Sequence, residues 1–218
     1  MRRFGRPSKA AEEPSASSTS SIDPARLEAI FEGYSDAEDP EWMMGEGLEK
    51  LCTEMEVDAA TDVRALALAW KLKSGEKPGA IRKSEFVAGM QALRSDSIAE
   101  LKRQVLHTLD PGFMEHKEFR EFYRFCFKFN REDAAKKTIE KDIVMALLPM
   151  VMSNRSQHTD KFVEFLGEAP KARVSHDEWS SFLEFSKEFS DKDISAYEDD
   201  GAWPSLLDDF IEWLRSKA

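Results

Sequence analysis

From residue 27 almost to the end of the chain, apolar residues return at the three-and-four spacing that puts them on one face of a helix. Behind Asp23, a good N-cap, and Pro24 comes a first stripe of Leu27, Ile30, Phe31 and Tyr34. Leu48, Leu51, Cys52 and Met55 mark a second helix, and an Ala- and Leu-rich third is predicted from about Thr61 to Lys73, with Leu66, Ala69 and Trp70 inward. Phe86, Met90 and Leu93 define a fourth, and Ile98, Leu101, Val105 and Leu109 a fifth that begins near Ser95. The run EFREFYRFCFKF sets Phe119, Phe122, Tyr123, Phe125, Phe127 and Phe129 within one helix, so more than one side of it must be covered and it lies between layers. A helix from about Thr138 carries Ile143, Ala146, Leu147 and Met150, and Pro149 is expected to kink or end it. A short helix with Phe162, Phe165 and Leu166 follows. Ser175 and Glu178 then form a capping box ahead of Trp179, Phe182 and Leu183. The last helix opens at Pro204 and turns Leu206, Leu207, Phe210, Ile211 and Leu214 inward, with Asp208 and Asp209 near its positive end. No stretch alternates with period two over a useful length, so the fold class is all-α: a compact multi-helix domain over residues 23–216. Residues 1–22, rich in Ser, Ala, Pro and charge, read as a disordered tail.

Composition narrows the partners. With 42 acidic and 31 basic side chains the net charge is −11, which repels nucleic acid and suits a basic protein. No apolar run has the length of a membrane span and no secretory signal follows the start, so no membrane contact is expected. The chain is read as soluble, in cytoplasm and nucleus, with Arg2, Arg3, Arg6 and Lys9 as weak help for nuclear import. Cys52 and Cys126 form no CxxC pair and fall on apolar stripes, as buried structural thiols do.

Two loops bear on metal binding. Counted from Ser74 as position one, the loop before the fourth helix has Glu76 at three, Gly79 at six, Ile81 at eight and Glu85 at twelve, the frame of an EF-hand. Ser at position one and Pro78 at five weaken the ligand set, so the reading is an EF-hand-like helix pair with little calcium affinity and no metal or other cofactor. The stretch from Asp36 has acids but lacks Gly at six and Glu at twelve. A calcium-binding protein is the alternative function. The four histidines, His107, His116, His158 and His176, have no metal-ligand spacing, and no GxSxG, GxxxxGK or GxGxxG occurs, which favours a binding protein over an enzyme.

The string DDGAWPSLLDDFIEW after Tyr197 resembles the end of the potentiating-neddylation domain, the core of the defective-in-cullin-neddylation (Dcn-like) family. In family order lie AWK at Ala69–Lys71, EF and GM between Glu85 and Met90, DSI and LK between Asp96 and Lys102, FYRFCFKF at Phe122–Phe129 and DEW at Asp177–Trp179. Departures are the missing ubiquitin-associated domain and PMVMSNRSQ where animal members have a more aromatic segment. The resemblance implies degenerate EF-hand-like pairs and a cofactor-free, non-catalytic, monomeric accessory ligase for cullin neddylation. It implies a cullin C-terminal winged-helix region, with its RING subunit, held by an acidic patch at Asp177, Ala202 and Asp208. It also implies a hydrophobic pocket for the acetylated N-terminus of the neddylation conjugating enzyme, mapped onto Leu48, Ala65, Leu68, Ile81, Phe129 and Met150.

Overall fold

The computed structural model describes residues 22–189, 194, 197, 198 and 201–217; the tail, apart from Ile22, and Asp199 and Asp200 lie outside the described residues. The chain folds as two successive pairs of helix–loop–helix units. α1 (Pro24–Glu32) and α2 (Glu46–Glu54) flank a loop that carries β1 (Trp42–Met44); α3 (Val63–Lys71) and α4 (Lys83–Ala92) flank one that carries β2 (Ala80–Arg82). β1 and β2 pair antiparallel with Met43 opposite Ile81, the residues at position eight of the loops counted from Asp36 and Ser74. α5 (Ile98–Val105) and a 3-10 turn at Pro111–Phe113 lead into α6 (His116–Phe129). β3 (Thr138–Glu140) then precedes α7 (Lys141–Met152), and α8 (Thr159–Glu168) is followed by β4 (Arg173–Ser175) and α9 (His176–Glu188). β3 and β4 repeat the loop-to-loop pairing with Ile139 opposite Val174, and α10 (Ser205–Lys217) packs across α8 and α9. Among the described residues no helix is long and apolar enough to cross a membrane.

Helix starts follow the residues that cap them. Asp23 accepts from Ala25 N at 3.0 Å, Asp62 from Arg64 N at 2.9 Å and Ser97 from Glu100 N at 3.2 Å. Each such cap contributes about 1 kcal/mol. The capping box at α9 is complete, since Ser175 Oγ accepts from Glu178 N and Glu178 accepts from Ser175 N at 2.8 Å.

α6 is the shared wall of the two halves, and all six of its expected rings are buried. Phe122 meets Trp70 of α3 at 5.7 Å, and Glu118 pairs with Lys71 at 2.7 Å. On the other side Tyr123 stacks on Trp179 at 4.5 Å; its hydroxyl donates to Trp179 O, and the Trp179 indole N–H donates to Tyr123 O at 3.0 Å. Gly89 lets α4 lie against the end of α3, where an added Cβ would stand 2.5 Å from Leu72 Cα.

Several expectations are corrected. α3 is shorter than Thr61–Lys73, because Lys73 has left-handed backbone, and the cap of α5 is Ser97, with Leu109 beyond the helix end. Thr138 belongs to a strand; the four strands among the described residues have three residues each, too few to show a period. α7 buries Val144, Leu147, Leu148, Val151 and Met152, while Ile143 is 38% exposed and Ala146 faces solvent. The helix also runs through Pro149 to Met152, where Ser153 takes a positive φ of 47° and stops it. Pro149 lies in the last turn, so only one backbone hydrogen bond is forgone there.

Candidate functional site

The calcium frame is closed by its own residues. Glu85, at position twelve, accepts from Glu76 N at 2.9 Å with one oxygen and from Arg82 N at 2.8 Å with the other. Ser74 Oγ, at position one, donates to Ala80 O at 2.7 Å, and Glu76, at position three, is paired with Arg82 at 2.7 Å. Three of the ligand positions a hard cation needs are therefore engaged in internal hydrogen bonds, and Pro78 supplies no side-chain oxygen at position five. Position twelve of the loop counted from Asp36 is Gly47, whose missing Cβ would stand 1.9 Å from Tyr34 O. Among the described residues no three His, Cys, Asp or Glu side chains are grouped to hold a metal. The residues do not fit calcium, and the two loops join their helices through the β1–β2 pairing and these internal hydrogen bonds.

Nor is there an activated nucleophile at Cys126. It is fully buried, and burial pushes its thiol well above the usual range. Cys52 is 1% exposed, its thiol pushed up to about 11 by burial, with Asp58, Asp62 and Glu49 adding to the shift.

The acidic candidates sit at two helix starts. Asp177 is exposed in the first turn of α9 and has no hydrogen-bond or ion-pair partner among the described residues. Its neighbour Glu178 is buried and structural: burial raises its carboxyl, but Lys171 at 2.7 Å and the Ser175 N–H outweigh that and hold it below the usual range. Asp208 lies half-buried in the first turn of α10 and accepts a 2.5 Å hydrogen bond from Tyr197. The Tyr197 ring rests on Phe185 and Phe189, as does Trp203, so this anchor stands at the C-terminal end of α9, whereas Asp177 stands at its beginning. Eight residues separate Asp177 from Phe185, a rise of about 12 Å. Ala202 is exposed just ahead of Trp203. The three residues thus lie along an extended strip, and a partner that engages both carboxylates must span about 12 Å along α9. Asp209 and Glu212 are exposed along the same helix and extend the negative field.

The pocket candidates separate by burial. Ile81 and Leu68 are sealed, at 0% and 1% exposure, and serve as core; Ala65 and Phe129 are at the edge, and Leu48 and Met150 are half-buried. Phe129 O accepts from Gly79 N at 2.8 Å, which brings the end of α6 beside the loop that holds Ile81. Leu48 lines a different feature, a groove of about 450 Å³ with Val57, Asp58 and Ala60.

One structural residue was not readable in the sequence. Arg155 donates to the carbonyls of Pro111 and Met114 and lies 4.0 Å above the Phe119 ring, which fixes the 3-10 turn before α6. Burial pulls its guanidinium below the usual range, with Asp110 and Glu115 acting against that. Its partners lie some forty residues away in sequence, beyond any local pattern.

Residues 100–213, which span α5 to α10, match the family model described as cullin binding. The chain is 35% identical over 192 residues to DCN1-like protein 3 of Homo sapiens, 34% to that of Xenopus laevis, and 31% over 188 residues to DCN1-like protein 2 of Dictyostelium discoideum. Each alignment covers 86% of this chain, and 62%, 62% and 68% of those relatives respectively. The chain therefore spans less than two thirds of the length of the first two.

Proposed function

The chain belongs to the cullin-binding, DCN1-like family, and on that premise we propose that it is an accessory, non-catalytic ligase for the neddylation of cullins. It holds a cullin C-terminal region through Asp177, Ala202 and Asp208 and the conjugating enzyme through a separate apolar pocket. The observation that carries the reading is the family match across α5–α10, within which both acidic helix starts fall, one free and the other oriented by Tyr197. Carboxylates in first helical turns are held where the helix dipole favours negative charge, and a basic partner is both attracted and oriented by them. Ala202 leaves room for close approach between them. In the second site an acetylated N-terminus is preferred because a free ammonium would lose its water on entry, an effective cost of several kcal/mol. Of the six residues assigned to that pocket, Leu48 and Met150 are half-buried, Ala65 and Phe129 are at the edge of the core, and Leu68 and Ile81 are sealed within it. Holding both partners turns a bimolecular encounter into a tethered one, at effective concentrations on the order of mM. The bond-making chemistry stays with the conjugating enzyme and the RING subunit.

Capture of a cullin C-terminal region by the full chain tests this. Asp208→Lys is expected to abolish capture and Asp208→Asn, which keeps an acceptor for Tyr197, to weaken it, both with helical content unchanged. Undiminished capture by the folded Asp208→Lys protein refutes the reading.

A further inference from the structure

Beside Asp177 the charge changes sign. Phe127, Lys128, Arg131, Lys137, Ser175, His176 and Asp177 line a groove of about 410 Å³ between the end of α6 and the start of α9. Its floor is apolar: the Phe127 ring is buried and His176 stands edge-on to it at 5.2 Å. Its rim is cationic. Arg124, Lys128 and Arg131 recur at i, i+4 and i+7 on α6 and its end, and Lys137 faces them from the following loop.

Like charges at that spacing repel and destabilise a helix. None of Arg124, Lys128 and Lys137 has an ion-pair partner among the described residues, although the chain carries eleven more acids than bases. Arg131 is tied to the carbonyls of Lys128, Ala134 and Lys136, so its charge is fixed in place. The Nε2 atom of His176 is buried with no hydrogen-bond partner among the described residues. An uncompensated cluster of this kind, over an apolar floor and next to an unpaired carboxylate, is the complement of a segment that carries a carboxylate beside a large apolar side chain.

We propose that this groove is a second docking point for the cullin, receiving an acidic segment with an apolar side chain while the partner's basic residues meet Asp177. The inference rests on the reading above, because the groove lies within the matched residues and shares Asp177 with the acidic strip. Its role is register. A partner seated in the reverse sense, or shifted along α9, sets like charges against each other at both places, and that repulsion costs more than the mere absence of either attraction.

The test compares Lys128→Glu/Lys137→Glu with Asp208→Lys in titrations of the full chain against a cullin C-terminal region, at low and physiological salt. Both lysines are exposed, and their reversal relieves repulsion, so the unfolding midpoint is expected to hold or rise. The double variant is expected to lose about tenfold or more in affinity and to show a weaker salt dependence. Wild-type affinity in the double variant, with capture abolished by Asp208→Lys, overturns the groove and leaves the proposed function standing. The same holds if the double variant keeps its cullin affinity but loses binding to single-stranded RNA. Full affinity in both variants overturns the proposed function itself.

Discussion

Replacing Glu85 separates a structural carboxylate from a metal ligand. In Glu85→Ala both oxygens disappear, and the N–H groups of Glu76 and Arg82 lose their acceptors inside a loop where Glu85 is only 9% exposed. A hydrogen bond to a charged group contributes about 1.5–3 kcal/mol net, and partial solvent access to these amides favours the low end, so the pair amounts to about 3 kcal/mol. Glu85→Gln keeps one acceptor oxygen and is expected to lose about half of that. For a domain of this size 1 kcal/mol moves the midpoint by about 2–4 °C, which predicts roughly 6–12 °C for Ala and 3–6 °C for Gln. Thermal and urea unfolding followed by circular dichroism, in chelator and in millimolar calcium, reads this directly. The three proteins should rank wild type, Gln, Ala, and calcium should move none of them. Equal midpoints for wild type and Gln, or calcium stabilising only the wild type, would refute the account of the closed loop.

Three further outcomes follow from other interactions in the fold. Arg155→Ala should cost about 2–3 kcal/mol in urea unfolding, and Arg155→Lys should not restore it, because one ammonium cannot replace a planar fork shared between carbonyls and the Phe119 face. His176 should make the fold acid-sensitive: burial lowers its folded pKa, Lys128, Arg124 and Arg131 lower it further, and Asp177 only partly opposes them. The unfolded state then binds the proton more readily, so stability is full above about pH 6.5 and falls as pH drops below it; His176→Phe should flatten that slope in unfolding titrations. Glu178, also lowered in the fold, loses its contribution at more acidic pH and leaves that comparison intact. Gly89→Ala should destabilise by about 1–3 kcal/mol, since the new methyl meets Leu72 backbone and not a side chain that can turn away; a neutral result in thermal unfolding would show that α4 slides freely.

What the sequence discloses here is what local chemistry determines. Asp23, the Ser175–Glu178 box and the six rings of α6 carry their structural roles in their own spacing, and the structure places them accordingly. The loop frame from Ser74 was legible too, because position eight and position twelve are set by the turn itself. The buried face of α7 was not, since the packing of α8 and β4 against it selects Val144 over Ile143. Arg155 was silent for the same reason, as its value lies in carbonyls that only the folded chain brings near. Of the candidate site, Asp177 and Asp208 were placed by their helix starts, whereas their separation along α9 and the cationic groove beside Asp177 depend on how α6 and α10 meet it.

Because α6 lends Phe122 and Glu118 to one pair of helical hairpins and Tyr123 and Phe127 to the other, neither half owns a complete interior. A break in either hairpin pair bares aromatic surface in its neighbour. The protein is therefore expected to melt as one piece, with the same helix serving as the spine of both halves.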